Sequence, residues 1–206
     1  MNAFRGSDIM EKREKGLKLI VSSAALLITI ICTVITFNTK LSTGKYKLLG
    51  SYASVFVLTA LLWGFPLKFY VIAMIFDVFA TAFGSIINLY RYTEFFDRGL
   101  HFFSGLLLAE CGMIIIGYVL KKRGLPDDFP VKLLFSAFFA IACAGLWEIY
   151  EFLCDIVLKI HMQGAGNDTM FDVICGTMGT LTYCALMLIE RRFKKNNKDK
   201  NKPERS

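Results

Sequence analysis

The sequence predicts an all-α, polytopic membrane helix bundle with about six transmembrane helices. The chain has 206 residues, 55% of them hydrophobic, and its mean hydropathy is +0.50. Soluble domains are about 45–50% apolar, and their apolar residues are spread by amphipathic patterning, whereas here they form long blocks. Lipid leaves unpaired backbone groups unsatisfied, which favours helices, and no alternating pattern indicates the strands of a membrane barrel.

Six apolar runs have the length that a membrane-spanning helix needs, about 20 residues. The runs are Leu17–Phe37, Lys47–Phe65, Leu67–Tyr90, Leu100–Leu120, Val131–Leu158 and Met170–Ile189. Pro66 separates the second run from the third and favours a tight reversal there. The sequence thus predicts an N-terminal cytoplasmic segment (1–16), a helix bundle (17–190) and a basic, disordered cytoplasmic tail (191–206).

The charge pattern predicts the orientation of the bundle. The net charge is +7, but the basic residues cluster at the ends of apolar runs, which is typical of membrane proteins and argues against nucleic-acid binding. With six crossings, 18 of the 24 Lys and Arg residues fall on the side that holds both termini. The positive-inside rule therefore predicts a protein of the plasma (bacterial inner) membrane with both termini in the cytoplasm.

In this topology, acidic residues and one histidine gather at the outer ends of three helices. Asp97 and His101 precede or begin the fourth run, Glu148 and Glu151 lie near the end of the fifth, and Asp168 and Asp172 begin the sixth. Their spacings of three or four residues place each set on one side of its helix. Glu148 is the deepest, about a turn inside the hydrocarbon, where a carboxylate is costly and faces the bundle interior.

Several carboxylates that lie close together need protons or a bound cation. A divalent metal would balance the charge: carboxylates suit magnesium, calcium or manganese, and an added imidazole also admits zinc or iron. The metal ligands predicted on this basis are Asp97, His101, Glu148, Glu151, Asp168 and Asp172. His101 and Glu148 are the candidate catalytic residues. A structural interpretation stays open for each, because Asp97 is also compatible with a solvated loop and Asp168 with a helix N-cap.

Other polar and small residues lie deeper in the predicted helices. Asp77 and Glu110 are mid-helix carboxylates, for which we weigh a proton relay against an interhelical hydrogen bond and favour the latter. Gly176, Gly179 and Thr180 form a small-residue stripe that predicts close packing of the helix that carries Asp172.

These motifs resemble the YjdF-like family of bacterial inner-membrane proteins. The resemblance covers about residues 61–190 and is carried by Phe96-Asp97-Arg98-Gly99-Leu100-His101-Phe102, Trp147-Glu148-Ile149-Tyr150-Glu151 and Asp168-Thr169-Met170-Phe171-Asp172. A looser similarity connects the chain with VanZ-like membrane proteins, in which an asparagine commonly follows the last aspartate, whereas this chain has Cys175-Gly176. The resemblance implies a multi-helix membrane protein and supports the grouping of the acidic residues, but it implies no reaction.

Three functions are compatible with the sequence. The first is a metal-dependent hydrolase or transferase that acts on a lipid-linked or envelope substrate, with metal-activated water as the nucleophile. The second is a small proton- or cation-coupled transporter, although the sequence contains no inverted repeat. The third is a non-catalytic accessory or stress-tolerance protein whose polar cluster holds helices together.

Overall fold

The computed structural model describes residues 2–39, 44–160, 162–164 and 166–200. Within these residues every regular element is helical, which confirms the all-α prediction. The α-helices are α1 (Asn2–Asn38), α2 (Lys45–Leu61), α3 (Leu67–Asp77), α4 (Glu94–Arg123), α5 (Phe129–Leu158) and α6 (Asp168–Lys200). A π-helical segment, Val78–Ile86, continues α3, and a short 3-10 turn, Leu89–Arg91, follows it.

Five segments of the described chain are long and apolar enough to cross a membrane. They are Met10–Asn38, Leu67–Ile86, Phe95–Arg123, Phe129–Leu158 and Asp168–Asn197. Helix α2 has 17 residues, a length of about 25 Å that is near the lower limit for a transmembrane helix. The multi-pass helix bundle is therefore confirmed, and a sixth crossing by α2 stays a prediction.

Two helices extend beyond the apolar runs that predicted them. Helix α1 begins at Asn2 and so includes most of the segment 1–16 that was assigned to the N-terminus. Helix α6 continues to Lys200, into the tail 191–206 that we expected to be disordered, and residues 201–206 lie outside the described part. Lys, Arg and Glu are good helix formers. A helix can therefore continue through charged residues after the apolar run that spans the membrane has ended.

The third predicted helix changes its hydrogen-bond pattern after Asp77. In the π-helical segment each bond reaches one residue further, as where the backbone N–H of Ile87 donates to the carbonyl of Ala82 at 3.0 Å. Tyr90 folds back onto this segment, and its hydroxyl donates to the carbonyl of Ala80 at 3.0 Å. A Cβ added to Gly84 would lie 2.5 Å from the Tyr90 ring, so the ring would have to shift if residue 84 carried a side chain.

The chain divides into two compact units, Met1–Leu100 and His101–Ser206, and the division falls within α4. In the first unit α1 packs against α2, α3 and the π-helical segment. Lys18 of α1 is buried, with 4% of its surface exposed, and its Nζ donates to the carbonyls of Trp63 and Phe65 at 2.8 and 2.7 Å. These two carbonyls belong to the predicted reversal between α2 and α3, which Lys18 therefore holds against α1.

We expect Lys18→Met to destabilise the first unit by about 3 kcal/mol, because two charge-assisted hydrogen bonds to partly buried carbonyls are lost. Lys15→Met is the matched control, since Lys15 is exposed and pairs only with Glu11 at 2.6 Å among its described contacts. An exposed pair of this kind contributes less than about 1 kcal/mol. Denaturant unfolding in detergent micelles measures both variants, and equal losses would contradict the role assigned to Lys18.

In the second unit α5 packs against α6, and glycines bring the backbones of α4 and α6 into contact. A Cβ added to Gly105 would lie 2.0 Å from the carbonyl oxygen of Gly176, and one added to Gly179 would lie 1.9 Å from that of Phe102. The Thr180 hydroxyl is fully buried and donates to the Gly176 carbonyl at 3.0 Å. The predicted packing role of the small-residue stripe on α6 is thus confirmed.

Candidate functional site

His101 of α4 lies between two buried carboxylates of the second unit. Its Nδ1 is 3.8 Å from Oε1 of Glu148 on α5, and its Nε2 is 3.9 Å from Oδ2 of Asp172 on α6. The three side chains are 11%, 6% and 5% exposed, respectively. The structure therefore brings together three of the predicted site residues, one from each of three helices.

Both distances exceed those of direct hydrogen bonds, which end near about 3.2 Å for N–H···O. Two atoms bound to one divalent ion at about 2.1 Å lie roughly 3 to 4 Å apart. The separation of Nε2 and the Asp172 carboxylate is of this size. Nδ1 and Nε2 point to opposite sides of the ring, so Glu148 and Asp172 approach different edges of His101.

Asp97 lies one helical turn before His101 on the continuous helix α4. Single ligand atoms of Asp97, His101 and Asp172 lie within 4.8 Å of one another, a separation that one metal ion can bridge. Glu148, Glu151 and Asp168 do not belong to this three-residue group. Three of the six predicted ligands therefore form one group, and Glu148 lies at the other edge of the imidazole. Glu151 and Asp168 belong to neither.

A three-way contact of small residues positions the polar side chains. Gly105 and Gly176 touch backbone to backbone, and a Cβ added to Gly176 would lie 3.4 Å from Cβ of Ala144. Each of these small residues is one helical turn from a site residue, since Gly105 follows His101, Ala144 precedes Glu148 and Gly176 follows Asp172. The same close approach that packs the helices therefore brings their polar side chains together.

Other acidic residues near these helix ends have contacts of their own. Glu151 accepts a hydrogen bond from Nε1 of Trp147 at 2.9 Å. Asp155 accepts from the backbone N–H groups of Met162 and Gln163 at 2.6 and 3.0 Å, which fixes the start of the connection to α6. This loop role for Asp155 was not predicted. The sequence feature that could have predicted it is an aspartate just before a loop, because such a side chain commonly accepts hydrogen bonds from loop N–H groups.

Glu110 takes part in an interhelical contact on another part of α4. The Tyr183 hydroxyl of α6 donates to Oε2 of Glu110. On α5, the buried hydroxyl of Ser136 donates to the carbonyl of Ala109. The interhelical hydrogen bond favoured for Glu110 is confirmed, and the polar groups at this level hold the three helices together.

The sequence matches the family described as "Predicted membrane protein (DUF2238)" over residues 17–193. This match includes every predicted span and every residue of the candidate site. The chain belongs to the DUF2238 family.

Among curated proteins, the chain is similar to a Thermotoga maritima protein described as "Uncharacterized protein". It is 29% identical over 105 residues, which cover 50% of this chain and 53% of the relative. The chain thus matches about half the length of that protein. No solved structure matches the chain.

Proposed function

We propose that this DUF2238 protein holds a divalent metal ion at His101 and uses it in a hydrolytic or transfer reaction on a lipid-linked or envelope substrate. The observation that carries the proposal is the buried imidazole of His101, which has carboxylates 3.8 and 3.9 Å from its two nitrogens. Burying a carboxylate inside a membrane-spanning helix bundle costs free energy, and such residues commonly mark functional sites in membrane proteins. A divalent ion offsets their charge.

The two edges of the imidazole have different roles in this proposal. Nε2 binds the metal together with the carboxylates of Asp172 and Asp97, which form the group of three. Glu148 lies on the Nδ1 side, where its negative charge favours a proton on Nδ1 and helps to orient the imidazole, as carboxylates commonly do for metal-bound histidines. Glu148 is thereby a positioning residue, rather than the direct ligand that the sequence predicted.

The remaining coordination positions are available to water and substrate. A mixed set of one imidazole and two carboxylates suits zinc, iron or manganese. When bound, such an ion polarises a substrate oxygen and lowers the pKa of bound water. Asp168 begins α6, and Glu151 lies on α5 about one turn after Glu148. We propose that both carboxylates contact the polar part of a substrate.

The charge distribution supports a location at the outer leaflet of the inner membrane. Lys121, Lys122 and Arg123 end α4, whereas His101 lies near its other end. The positive-inside rule places the basic ends in the cytoplasm and the His101 site at the opposite face. A substrate embedded in the outer leaflet would reach this site without crossing the bilayer. The resemblance to YjdF-like inner-membrane proteins agrees with this location.

The proposal is tested with protein purified in detergent, stripped by a chelator and reloaded separately with zinc, manganese or magnesium. Each sample is incubated with a bacterial envelope lipid extract, and the products are identified by mass spectrometry. We expect a product only in a metal-loaded sample, and its loss in His101→Gln. Turnover by fully stripped protein at the rate of the loaded protein would contradict the proposal.

A further inference from the structure

The first unit contains a polar face on α1 that runs the length of a membrane span. The face consists of Lys18, Ser22, Thr29, Thr33 and Thr36, at helical spacings of three, four and seven residues. From Lys18 to Thr36 the helix rises about 27 Å, close to the thickness of the hydrocarbon core. Lys18, Thr29 and Thr36 are buried within the unit, so this face points toward neighbouring helices.

Hydroxyl groups of the neighbouring helices meet this face at several levels. Ser22 is hydrogen-bonded to Thr59 of α2 at 2.9 Å and to the Tyr70 hydroxyl of α3. Nearer the other end, Thr33 pairs with the Tyr52 hydroxyl at 3.0 Å. The hydroxyl of Thr36 donates to the carbonyl of Ile86, at the end of the π-helical segment, at 3.2 Å.

Asp77 lies midway along the same unit, at the junction of α3 and the π-helical segment. It is the eleventh residue of the 20-residue span Leu67–Ile86, and it is 4% exposed. The Ser54 hydroxyl of α2 interacts with its carboxyl group. Its buried Oδ2 atom has no hydrogen-bond partner among the residues that the structure describes. An acidic oxygen with no partner in the middle of a membrane span is costly and indicates a ligand.

Basic residues are few on the three helices of this unit and lie far from Asp77 along the chain. Helix α1 has no charged residue after Lys18, α2 has none after Lys47, and α3 has only Lys68 before Asp77. Lys18 is already bound to two carbonyls and lies 3.0 Å from Glu14. The uncharged titratable side chains of these helices are Cys32, Tyr46, Tyr52 and Tyr70. The 3-10 turn that packs against the π-helical segment adds Tyr90, whose hydroxyl donates to the carbonyl of Ala80, and Arg91.

We propose that Asp77 is an intramembrane proton-binding site, which exchanges its proton through the hydroxyl-lined interior of the first unit. A proton neutralises a carboxylate without further ligands, whereas Na⁺ or a divalent ion needs about six oxygen ligands. The hydroxyls of Ser51 and Thr81 donate to the backbone carbonyls of Lys47 and Asp77, so their protons are not available to a carboxylate at Asp77. This function goes beyond the reaction proposed for the His101 site and uses different residues.

Dicyclohexylcarbodiimide tests this assignment, because it modifies carboxyl groups in apolar surroundings only in their protonated form. The full-length protein in liposomes is labelled between about pH 5 and pH 9, and the modified peptide is identified by mass spectrometry. We expect labelling of Asp77 whose rate falls about tenfold per pH unit once the group ionises. Asp77→Asn should lose this label, and Glu110→Gln, which alters a carboxyl already bonded to Tyr183, should keep it.

Labelling of wild-type protein does not depend on whether a variant folds. Absence of label at Asp77 throughout the pH series, or a labelling rate that does not change with pH, would overturn the proposal. Protection of Asp77 by Na⁺ but not by choline at constant pH would also overturn it, because the ligand would then be a metal cation.

Discussion

Glu148→Gln should bind divalent metal about 10 to 100 times more weakly than the wild-type protein. The substitution preserves the size of the side chain but removes the charge from the atom that lies 3.8 Å from Nδ1 of His101. An uncharged amide no longer favours a proton on Nδ1, so the imidazole becomes a poorer metal ligand and is less firmly oriented. Titration of chelator-stripped protein with zinc or manganese measures the change in affinity.

Glu151→Gln is the matched control for this titration. Glu151 lies one turn from Trp147 on the same helix as Glu148, and accepts its indole N–H at 2.9 Å. The proposed metal group does not include it, so its affinity for metal should stay within about twofold of wild type. If Glu151→Gln weakened binding as much as Glu148→Gln, general loss of negative charge would explain the result, and the positioning role of Glu148 would be wrong.

Gly179→Ala should destabilise the second unit by about 3 kcal/mol or more, since overpacking of a well-packed interface costs about 1–3 kcal/mol and here the obstacle is backbone. The new Cβ would lie 1.9 Å from the carbonyl oxygen of Phe102, which no rotamer change can move away. Helices α4 and α6 must separate, and the affinity of the His101 site for metal should fall as well. Unfolding in mixed micelles and metal titration measure the two effects.

Gly145→Ala tests whether the loss of stability in Gly179→Ala comes from the close contact of Gly179 with Phe102. Gly145 lies in α5, and an added Cβ there meets nothing within 4 Å. Because alanine favours helix over glycine by about 1 kcal/mol, this control should be neutral or slightly stabilising. A Gly179→Ala protein as stable as Gly145→Ala would show that α4 and α6 do not approach as the structure describes.

The sequence predicted the membrane bundle well because the thickness of the hydrocarbon core sets both the length of each apolar run and the length of the helix that it forms. It did not predict the π-helical segment Val78–Ile86, because hydropathy does not distinguish hydrogen bonds five residues apart from the four-residue pattern of an α-helix. It also did not predict how far the helices α1 and α6 extend past their apolar runs, because hydropathy locates the membrane boundary and not the last helical hydrogen bond.

For the site, the spacing of acidic residues predicted which helix faces converge, but not which carboxylates reach one another. The side chains of His101, Glu148 and Asp172 meet because a small residue one turn away on each helix lets the three helices pack closely. These small residues are Gly105, Ala144 and Gly176. The glycine of α4 was not singled out in the sequence. On each of the three helices, a polar site residue lies four positions from a glycine or an alanine. This repeated spacing is the sequence signal that would have predicted the cluster.

The metal content of the purified protein tests the central claim most directly. Wild-type protein, purified without chelators and dialysed against trace divalent metals, is compared with Asp172→Ala by elemental analysis. We expect about one tightly held divalent ion per chain in the wild-type protein, and a loss of that ion in Asp172→Ala while the protein still folds and inserts. Wild-type protein that holds no divalent ion under these conditions, or an Asp172→Ala protein that retains the same amount, would contradict a metal site at His101.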